Sequence, residues 1–398
     1  LPAHLLTTPD LRIRGRGLDI DLARSYRSRW EYNGVLGYGW DFRFNRRLRQ
    51  LADGRVIVTT GTCRSVTYQS EPGVLPPQYQ TSPRVFSELT FDAGTGGHIE
   101  TMPDGRAYSF DANGNLSAIS DRHGNQIVFS YSPTKRPIHG TAKYFVDEAQ
   151  RIVAYEYQLQ TITDPAGRVV TLDYYDAGDG KIGRLHTVTD WTGRVWTYDY
   201  DAWGNLSTVT SPPFGTPPTS GTTEYIYGRP EGEDPHDLTE IVTPRYFAAG
   251  GGSTPVVRNV YDDQGRVQDQ YYGDGGHIHL DYSYDVSGAT TTTLTQQNAD
   301  GGNPTIKTYQ FNVDGSLKWS SVEIRGDLRA ANEEPTLRAG GNATEFKTSY
   351  EYDVNGNYTR ITYPDDSFTE FDHDSTNADP KARANLLSVT RNPPPGST

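Results

Sequence analysis

Residues 193–210 hold the clearest copy of a motif that returns along this chain, and such a repeat limits the folds open to it. The segment reads GRVWTYDYDAWGNLSTVT. Side chains alternate along its first half, so that Trp196, Tyr198 and Tyr200 share one face of an extended strand. A polar turn with Gly204 then leads into a second alternating run. This pattern predicts a β-hairpin.

Other copies of the hairpin keep aromatic residues, an aspartate and a glycine in the same order. The spacing is 25 residues from Asp176 to Asp201 and 23 residues from Asp262 to Asp285. A repeat of this length indicates supersecondary units stacked side by side. The residues expected to define the units are Tyr108, Phe110, Asp111, Gly114, Tyr174, Asp176, Tyr198, Tyr200, Asp201, Gly204, Tyr261, Asp262, Gly265, Tyr282, Tyr284, Asp285, Gly288, Tyr350, Tyr352, Asp353 and Gly356.

The chemistry of each motif position explains why these residue types recur. Two aromatic residues at i and i+2 lie on one strand face and can pack against neighbouring hairpins, while a tyrosine hydroxyl reaches water or a backbone group. The aspartate can accept hydrogen bonds from amides in the turn, and the glycine can adopt a positive φ. We therefore expect Gly204→Val to break the turn and destabilise the fold, and Tyr198→Phe to be mild.

The composition favours an all-β fold and argues against some functions. The chain has 41 Gly, 25 Pro and 27 Tyr but one Met, as expected for many strands and turns. Its net charge of −13 argues against nucleic-acid binding, because such proteins neutralise phosphates with basic patches. No stretch approaches the roughly 20 apolar residues of a membrane helix, so membrane insertion is not expected. The first residues do not resemble a secretory signal, and the chain reads as a piece of a longer one.

Residues 1–70 differ from the repeats and predict a small β unit, here called the leading segment. An Ala-Asp-Gly turn at 52–54 joins two of its strands. Its characteristic residues are Arg24, Tyr26, Gly37, Gly39 and Trp40. The rest of the chain is expected to divide into a Pro/Gly/Ser-rich connection over 71–104, a repeat array over 105–374 and a linker-like tail over 375–398.

Several separated motifs resemble the bacterial Rhs/YD-repeat family. In the leading segment these are GRGL at 15–18, LARSYRS at 22–28 and LGYGW at 36–40; in the array they are the Tyr-Asp pairs and the Thr-Asp-x-x-Gly closures at 163–167 and 189–193. The resemblance implies a ribbon of antiparallel β-hairpins that spirals into a hollow shell, of which eight or nine units would supply a part. It also implies a secreted or surface protein whose partners are a polypeptide cargo or other segments of the same longer protein.

One family feature is missing from these residues. Rhs proteins normally end the shell with a self-cleavage motif of the Asp-Pro-x-Gly-Leu type, followed by a toxin. The similar run at 164–168, DPAGR, lies in mid-chain as a repeat turn and lacks the leucine. Neither protease nor toxin activity is therefore assigned to any residue.

No catalytic constellation is apparent, and no cofactor is expected. His277 and His279 lie on one strand face at a spacing that zinc could use, but a third ligand cannot be assigned from sequence. The Gly/Asp turns at 176–180 and 273–276 lack the ligand spacing of a calcium loop, and they are interpreted as turns. The single cysteine, Cys63, is interpreted as a buried small residue.

These observations favour a non-enzymatic, all-β structural scaffold that encapsulates or displays a cargo. One alternative is a self-assembling fibre or glycan-binding adhesin, in which exposed sheet edges pair with neighbouring copies. Another is a polysaccharide-cleaving lyase with a His or Tyr base in an aromatic groove.

Overall fold

The fold was analysed on a computed structural model, which describes residues 5–28, 30, 32–62, 64–71, 73–81, 85–139, 152–176, 181–216, 218–228, 235–244, 255–297, 304–323, 345–378 and 385–395. Its strands are β1 (Leu5–Ile13), β2 (Ile20–Arg27), β3 (Asn33–Gly34), β4 (Gly37–Tyr38), β5 (Trp40–Phe42), β6 (Arg47–Gln50), β7 (Val56–Thr60), β8 (Arg64–Ser70), β9 (Tyr79–Thr81), β10 (Glu88–Asp92), β11 (Gly97–Thr101), β12 (Ala107–Phe110), β13 (Leu116–Ser120), β14 (Gln126–Tyr131), β15 (Arg136–His139), β16 (Ile152–Glu156), β17 (Leu159–Thr163), β18 (Val169–Tyr174), β19 (Leu185–Thr189), β20 (Val195–Tyr200), β21 (Leu206–Thr210), β22 (Thr222–Tyr227), β23 (Leu238–Val242), β24 (Val257–Tyr261), β25 (Val267–Tyr272), β26 (His277–Tyr284), β27 (Thr290–Gln297), β28 (Thr305–Phe311), β29 (Leu317–Glu323), β30 (Glu345–Tyr352), β31 (Tyr358–Thr362), β32 (Phe368–His373) and β33 (Leu386–Asn392). The all-β prediction is confirmed.

One sheet of 22 strands runs from β10 to β33 in strict chain order, with β15 and β16 forming a separate two-stranded ribbon. Every neighbouring pair is antiparallel, and most pairs are joined by short connections such as the turn between β20 and β21. The two ends of this sheet do not pair with each other among the described residues. The protein is therefore a long, open ribbon of hairpins.

The sheet is longer than the repeat array expected over 105–374. Strands β10 and β11 precede it, where Leu89 and Phe91 alternate with polar residues before a turn at 93–96. Strand β33 follows it and forms the last edge. From sequence, these segments were expected to form a connection and a tail. Their strands are short, and the Pro and Gly residues on either side made the alternation of apolar and polar residues hard to recognise.

The leading segment forms three small sheets, β1 with β2 and β5, β3 with β4, and β6 with β7 and β8, the last of which gains β9 from the residues that follow the segment. Its aromatic side chains pack on one face of the long sheet, which we call the core face. Trp40 lies 4.9 Å from Tyr225 between ring centroids, and Phe44 lies 5.3 Å from Phe129. The buried core is therefore shared between the leading segment and the first part of the ribbon.

Burial changes sharply along the core face. Tyr198 and Leu206 are completely buried, whereas Tyr284 and Tyr358 are 46% and 43% exposed. The strand register places all four on this face. The difference arises because the contacts of the leading segment reach as far as Leu238 and its neighbours. No helix within the described residues has the length and hydropathy needed to span a membrane.

Candidate functional site: the core face of the hairpin ribbon

Many of the hairpin turns are closed by the motif aspartate. Asp201 Oδ1 accepts hydrogen bonds of 2.9 Å from the backbone amides of Trp203 and Asn205, and Oδ2 accepts one from the Asn205 side chain. Gly204 adopts φ 79°, as the turn requires. The same pattern of hydrogen bonds to the amides at i+2 and i+4 occurs at Asp111, Asp121, Asp164, Asp190, Asp262, Asp285 and Asp353.

The tyrosine before the aspartate connects successive hairpins. A β-bulge between Asp199 and Tyr200 sets the Tyr200 ring opposite Leu206, and its hydroxyl donates to the carbonyl of Leu185, 2.9 Å away, in the preceding hairpin. The equivalent hydroxyl-to-carbonyl bonds are Tyr174 to Leu159, Tyr227 to Leu206, Tyr261 to Leu238, Tyr282 to Val267 and Tyr352 to Leu317. This tyrosine ladder is a feature that spacing alone did not predict.

Two motif residues depart from this pattern, and a third cannot be compared. Phe110 takes the ladder position opposite Leu116 but has no hydroxyl. In the unit that ends at Asp285, the ladder residue is Tyr282, and Tyr284 instead accepts a 2.8 Å hydrogen bond from Arg266. The turn that follows Asp176 lies outside the described residues.

A buried ion pair joins the leading segment to the ribbon. Arg24 donates to both carboxylate oxygens of Asp10, at 2.6 and 2.8 Å, and to the Tyr225 hydroxyl at 3.1 Å. The Tyr198 hydroxyl donates to the same Asp10, 2.9 Å away. Burial alone would lower the pKa of Arg24, but the charge and hydrogen bonds of Asp10, together with Tyr225 and Tyr198, outweigh burial and raise that pKa. Because Tyr198→Phe would remove a donor from a buried carboxylate, the structure favours a larger loss of stability than the mild effect expected from sequence.

Backbone contacts also bind the leading segment closely to the turns. Gly37 has φ 89°, and a Cβ there would lie 2.5 Å from the Gly204 carbonyl oxygen. The Val35 carbonyl accepts from the Leu185 amide at 2.8 Å and from the Tyr200 hydroxyl at 3.0 Å. The leading segment therefore completes the hydrogen bonding of the repeats, and glycine is required where the two backbones meet.

The other characteristic residues of the leading segment contact the core face as well. Trp40 donates from Nε1 to the Tyr227 hydroxyl at 2.7 Å. The Tyr26 hydroxyl donates to the His236 carbonyl at 3.0 Å and accepts from the Leu238 amide at 3.1 Å. Sequence reasoning identified Tyr26 and Trp40 but missed the importance of Asp10, Val35 and His236, which lie in no recognisable motif.

A cluster of polar side chains surrounds Asp41, the residue after Trp40. Asp41 is buried and accepts from the Phe42 amide and the Asn45 side chain. Burial raises the pKa of Asp41 to about 7, although the charge of Arg47 opposes the shift. Asp41 therefore titrates near neutral pH.

The two histidines proposed as weak zinc ligands lie on the opposite face of the sheet. His277 and His279 both contact Oδ1 of Asp269 on the neighbouring strand, at 2.8 and 2.7 Å. Hydrogen bonding to Asp269 raises the pKa of His279, despite partial burial. Within the described residues, no three metal-binding side chains converge in a way that could hold an ion. Metal binding by these two histidines stays a hypothesis.

The part of the core face beyond β25, here called the open core face, is rich in half-exposed aromatic residues. Its aromatic members are Tyr282, Tyr284, Tyr309, Phe311, Phe346, Tyr350, Tyr352, Tyr358 and Phe371. They alternate along the strands with side chains of the opposite face, as the buried tyrosines do in the first part of the sheet. This surface is the strongest candidate for partner binding.

Comparison with known proteins identifies two segments. The family described as a domain of unknown function (DUF6531) matches residues 3–68, and the family described as RHS Repeat matches residues 181–213. No curated protein matches the chain. The hairpin ribbon with its Tyr-Asp turns defines a β-hairpin repeat protein. The RHS Repeat match over residues 181–213 then specifies the type of repeat, that of the Rhs/YD-repeat proteins.

Solved structures give weaker likenesses. The crystal structure of TcdB2-TccC3-Cdc42 matches with 13% identity and a TM-score of 0.29, over 97% of this chain and 21% of that one. That of TcdB2-TccC3-TEV matches with the same identity and TM-score, over 99% and 22%. The chain thus spans about a fifth of the length of these proteins. TM-scores this low do not support the transfer of a function.

Proposed function

We propose that this chain forms part of an Rhs-type shell, in a secreted or surface-associated bacterial protein, and that its open core face holds a polypeptide cargo. The RHS Repeat match supports a structural scaffold. The observation that carries the proposal of a cargo is the contrast between Tyr198, which the leading segment buries, and Tyr358, which nothing in the described residues covers to that extent.

The chemistry of the open core face suits an unfolded chain better than a folded partner. Its tyrosines offer rings for apolar contact and hydroxyls for hydrogen bonds, and threonines and Lys307 lie among them. Tyr352 already uses its hydroxyl in the ladder, so its ring stays fixed in orientation. Such a surface can contact many sequences weakly, which is what retention of a polypeptide requires.

A fluorescent, reduced and alkylated lysozyme serves as an unfolded probe for this proposal. We expect it to bind the full chain in fluorescence anisotropy and to become more resistant to added protease. Tyr350→Ser with Tyr358→Ser should weaken binding, because both rings lie on the open core face. Tyr271→Ser with Phe368→Ser removes two rings from the opposite face and should leave binding unchanged. Equal loss in both double variants, or no binding at all, would contradict the proposal.

A second candidate is self-association through the last edge of the sheet. Strand β33 pairs with β32 alone among the described residues, and its Leu387 is 61% exposed. An exposed, apolar edge strand can accept another strand. Light scattering should then show a mass that grows with protein concentration, and Val389→Pro should abolish the growth. A constant monomeric mass would exclude this route.

A further inference from the structure

A cleft of about 580 Å³ lies between the leading segment and the first repeat hairpins. Its walls come from residues 12–62 on one side and 106–127 on the other, and apolar and polar surfaces contribute almost equally. Ligand sites of this size commonly accommodate small molecules, and apolar walls with a few polar groups set the orientation of the ligand. The cleft lies outside the open core face, so its role is separate from cargo binding.

Four arginines line the cleft of this strongly acidic protein. They are Arg12, Arg43, Arg46 and Arg106, whereas two aspartates, Asp19 and Asp21, line it with them. The chain as a whole carries a net charge of −13. Each of these arginines lies beside a carboxylate of this chain, so an anion bound in the cleft would act as a further or replacement acceptor for their N–H groups.

Arg46 provides a fixed cation in the wall of the cleft. Glu100 accepts hydrogen bonds from Nε and Nη2 of Arg46, and the guanidinium stacks over Tyr108 at 4.1 Å from the ring centroid. Only 11% of its side chain is exposed. Among the described residues Nη1 has no hydrogen-bond partner and can serve a ligand. The position of this guanidinium is already set before binding, which lowers the entropy cost of recognition.

The other arginines can exchange partners at little cost. Arg43 pairs with Asp21 and Arg12 with Asp19, but both arginines are more than half exposed. Arg106 lies 3.8 Å from Asp104, beyond hydrogen-bond distance. Exposed pairs of this kind contribute little stability, so a ligand anion can replace the aspartate.

The cleft contains hydrogen-bond acceptors and an aromatic ring as well as arginines, so it can recognise more of a ligand than its negative charge. Arginines only donate hydrogen bonds, whereas Asp19 and Asp21 only accept them. The hydroxyls of Thr60 and Thr62 do both, and Tyr108 supplies an aromatic ring. A ligand that suits all of them carries a negative group at one end and several hydroxyl donors elsewhere.

We propose that this cleft binds a small acidic sugar, with its anionic group on Arg43, Arg46 and Arg106 and its hydroxyls on the aspartates and threonines. The negative group is a carboxylate, as in a uronic acid, or a phosphate on the sugar. Both have the planar or forked oxygens that guanidinium groups recognise.

Calorimetric titration of the full chain with glucuronate, glucose 6-phosphate and glucose tests the proposal. At least one acidic sugar should bind. Glucose should have an affinity at least about tenfold lower, as expected when a charge-assisted hydrogen bond is lost. Binding of glucuronate alone identifies a carboxylate ligand, and binding of glucose 6-phosphate alone a phosphate ligand. Failure of both acidic sugars, or equal binding of glucose, would overturn the proposal. So would equal binding of inorganic phosphate or glycine.

Variants locate the site. Arg43→Ala and Arg106→Ala should each weaken the acidic sugar about tenfold. Both side chains are about half exposed, so the fold should persist, and the thermal midpoint checks this. Arg55→Ala is the matched control, since Arg55 forms an equally exposed pair with Asp53 away from the cleft. Unchanged affinity in the two cleft variants, or an equal loss in the control, would contradict this location.

Discussion

The hydroxyl of Tyr200 donates a hydrogen bond of 2.9 Å to the carbonyl oxygen of Leu185, across the sheet in the preceding hairpin. Leu185 is itself paired with Tyr174, whose hydroxyl bonds to the carbonyl of Leu159 one hairpin earlier. The tyrosine ladder thus runs from hairpin to hairpin through alternating strand pairing and hydroxyl contacts. It explains why most ladder positions carry tyrosine and not simply an aromatic residue.

Removing one ladder hydroxyl should cost measurable stability. Tyr261→Phe deletes a 2.7 Å bond to the Leu238 carbonyl at a buried site, and we expect a loss of about 1 kcal/mol in urea unfolding. Tyr363→Phe is the control, because that ring is 39% exposed and its hydroxyl contact with Thr369 is 3.3 Å long. Equal effects of the two substitutions would show that the ladder contributes nothing.

Substitution of two turn glycines can distinguish the cost of backbone strain from the cost of a steric clash. Gly193 and Gly204 have φ of 82° and 79°, but a Cβ at Gly193 meets nothing within 4 Å, whereas one at Gly204 lies 2.8 Å from Arg184. Gly193→Ala should cost about 1–2 kcal/mol from the left-handed conformation alone. Gly204→Ala should cost more, because the buried Arg184 must also move. The comparison uses thermal or urea unfolding, and a smaller loss at Gly204 would be inconsistent with this packing.

The Asp10–Arg24 pair should be essential for docking of the leading segment. Arg24→Ala leaves Asp10 buried without its cation, and a loss of about 3–5 kcal/mol is expected. Arg55→Ala removes an exposed pair and should cost no more than about 1 kcal/mol. Guanidinium unfolding of the two variants measures the difference. Similar losses in both would mean that the pair does not hold the two parts together.

Stability should also depend on pH through Asp41. Its pKa is raised to about 7 in the fold, against an ordinary value of 3.8, so the folded chain holds this proton more tightly. The stabilising contribution of Asp41 is therefore fully present below about pH 4 and is lost as the pH rises through 7. Asp41→Asn should flatten this part of the curve of unfolding free energy against pH. An unchanged curve would contradict the assignment.

The turn aspartates act in the opposite direction. Partial burial would raise the pKa of Asp190, but hydrogen bonds from Thr192 and Arg194 outweigh it and leave the pKa lowered. Asp164 behaves in the same way beside Arg168. Their contributions are present above the ordinary pKa and are lost as the pH falls through the lowered value. Acid unfolding should persist in Asp41→Asn for this reason.

The repeat unit could be predicted from sequence because its signals are local. Alternation placed Trp196, Tyr198 and Tyr200 on one face, and the structure buries all three. The turn chemistry of Asp201 and Gly204 also depends only on residues four positions apart. The all-β fold class and the hairpin geometry could therefore be predicted from local sequence patterns.

Long-range relationships could not be predicted in this way. Asp10 and Tyr198 are 188 residues apart, and nothing near Asp10 in the sequence marks it as a buried ion-pair partner. The open core face has the same alternation as the covered one, so sequence periodicity could not distinguish Tyr358 from Tyr200. Only docking of the leading segment makes the two parts of the sheet different.

Hydrogen exchange of the full chain tests this asymmetry most directly. The account predicts that amides of β20–β22, which the leading segment covers, exchange at least about tenfold more slowly than those of β30–β32, because uncovered strands open with a smaller free energy. Equal protection in the two regions would contradict the claim that the leading segment completes the core of the first hairpins and leaves the later ones open.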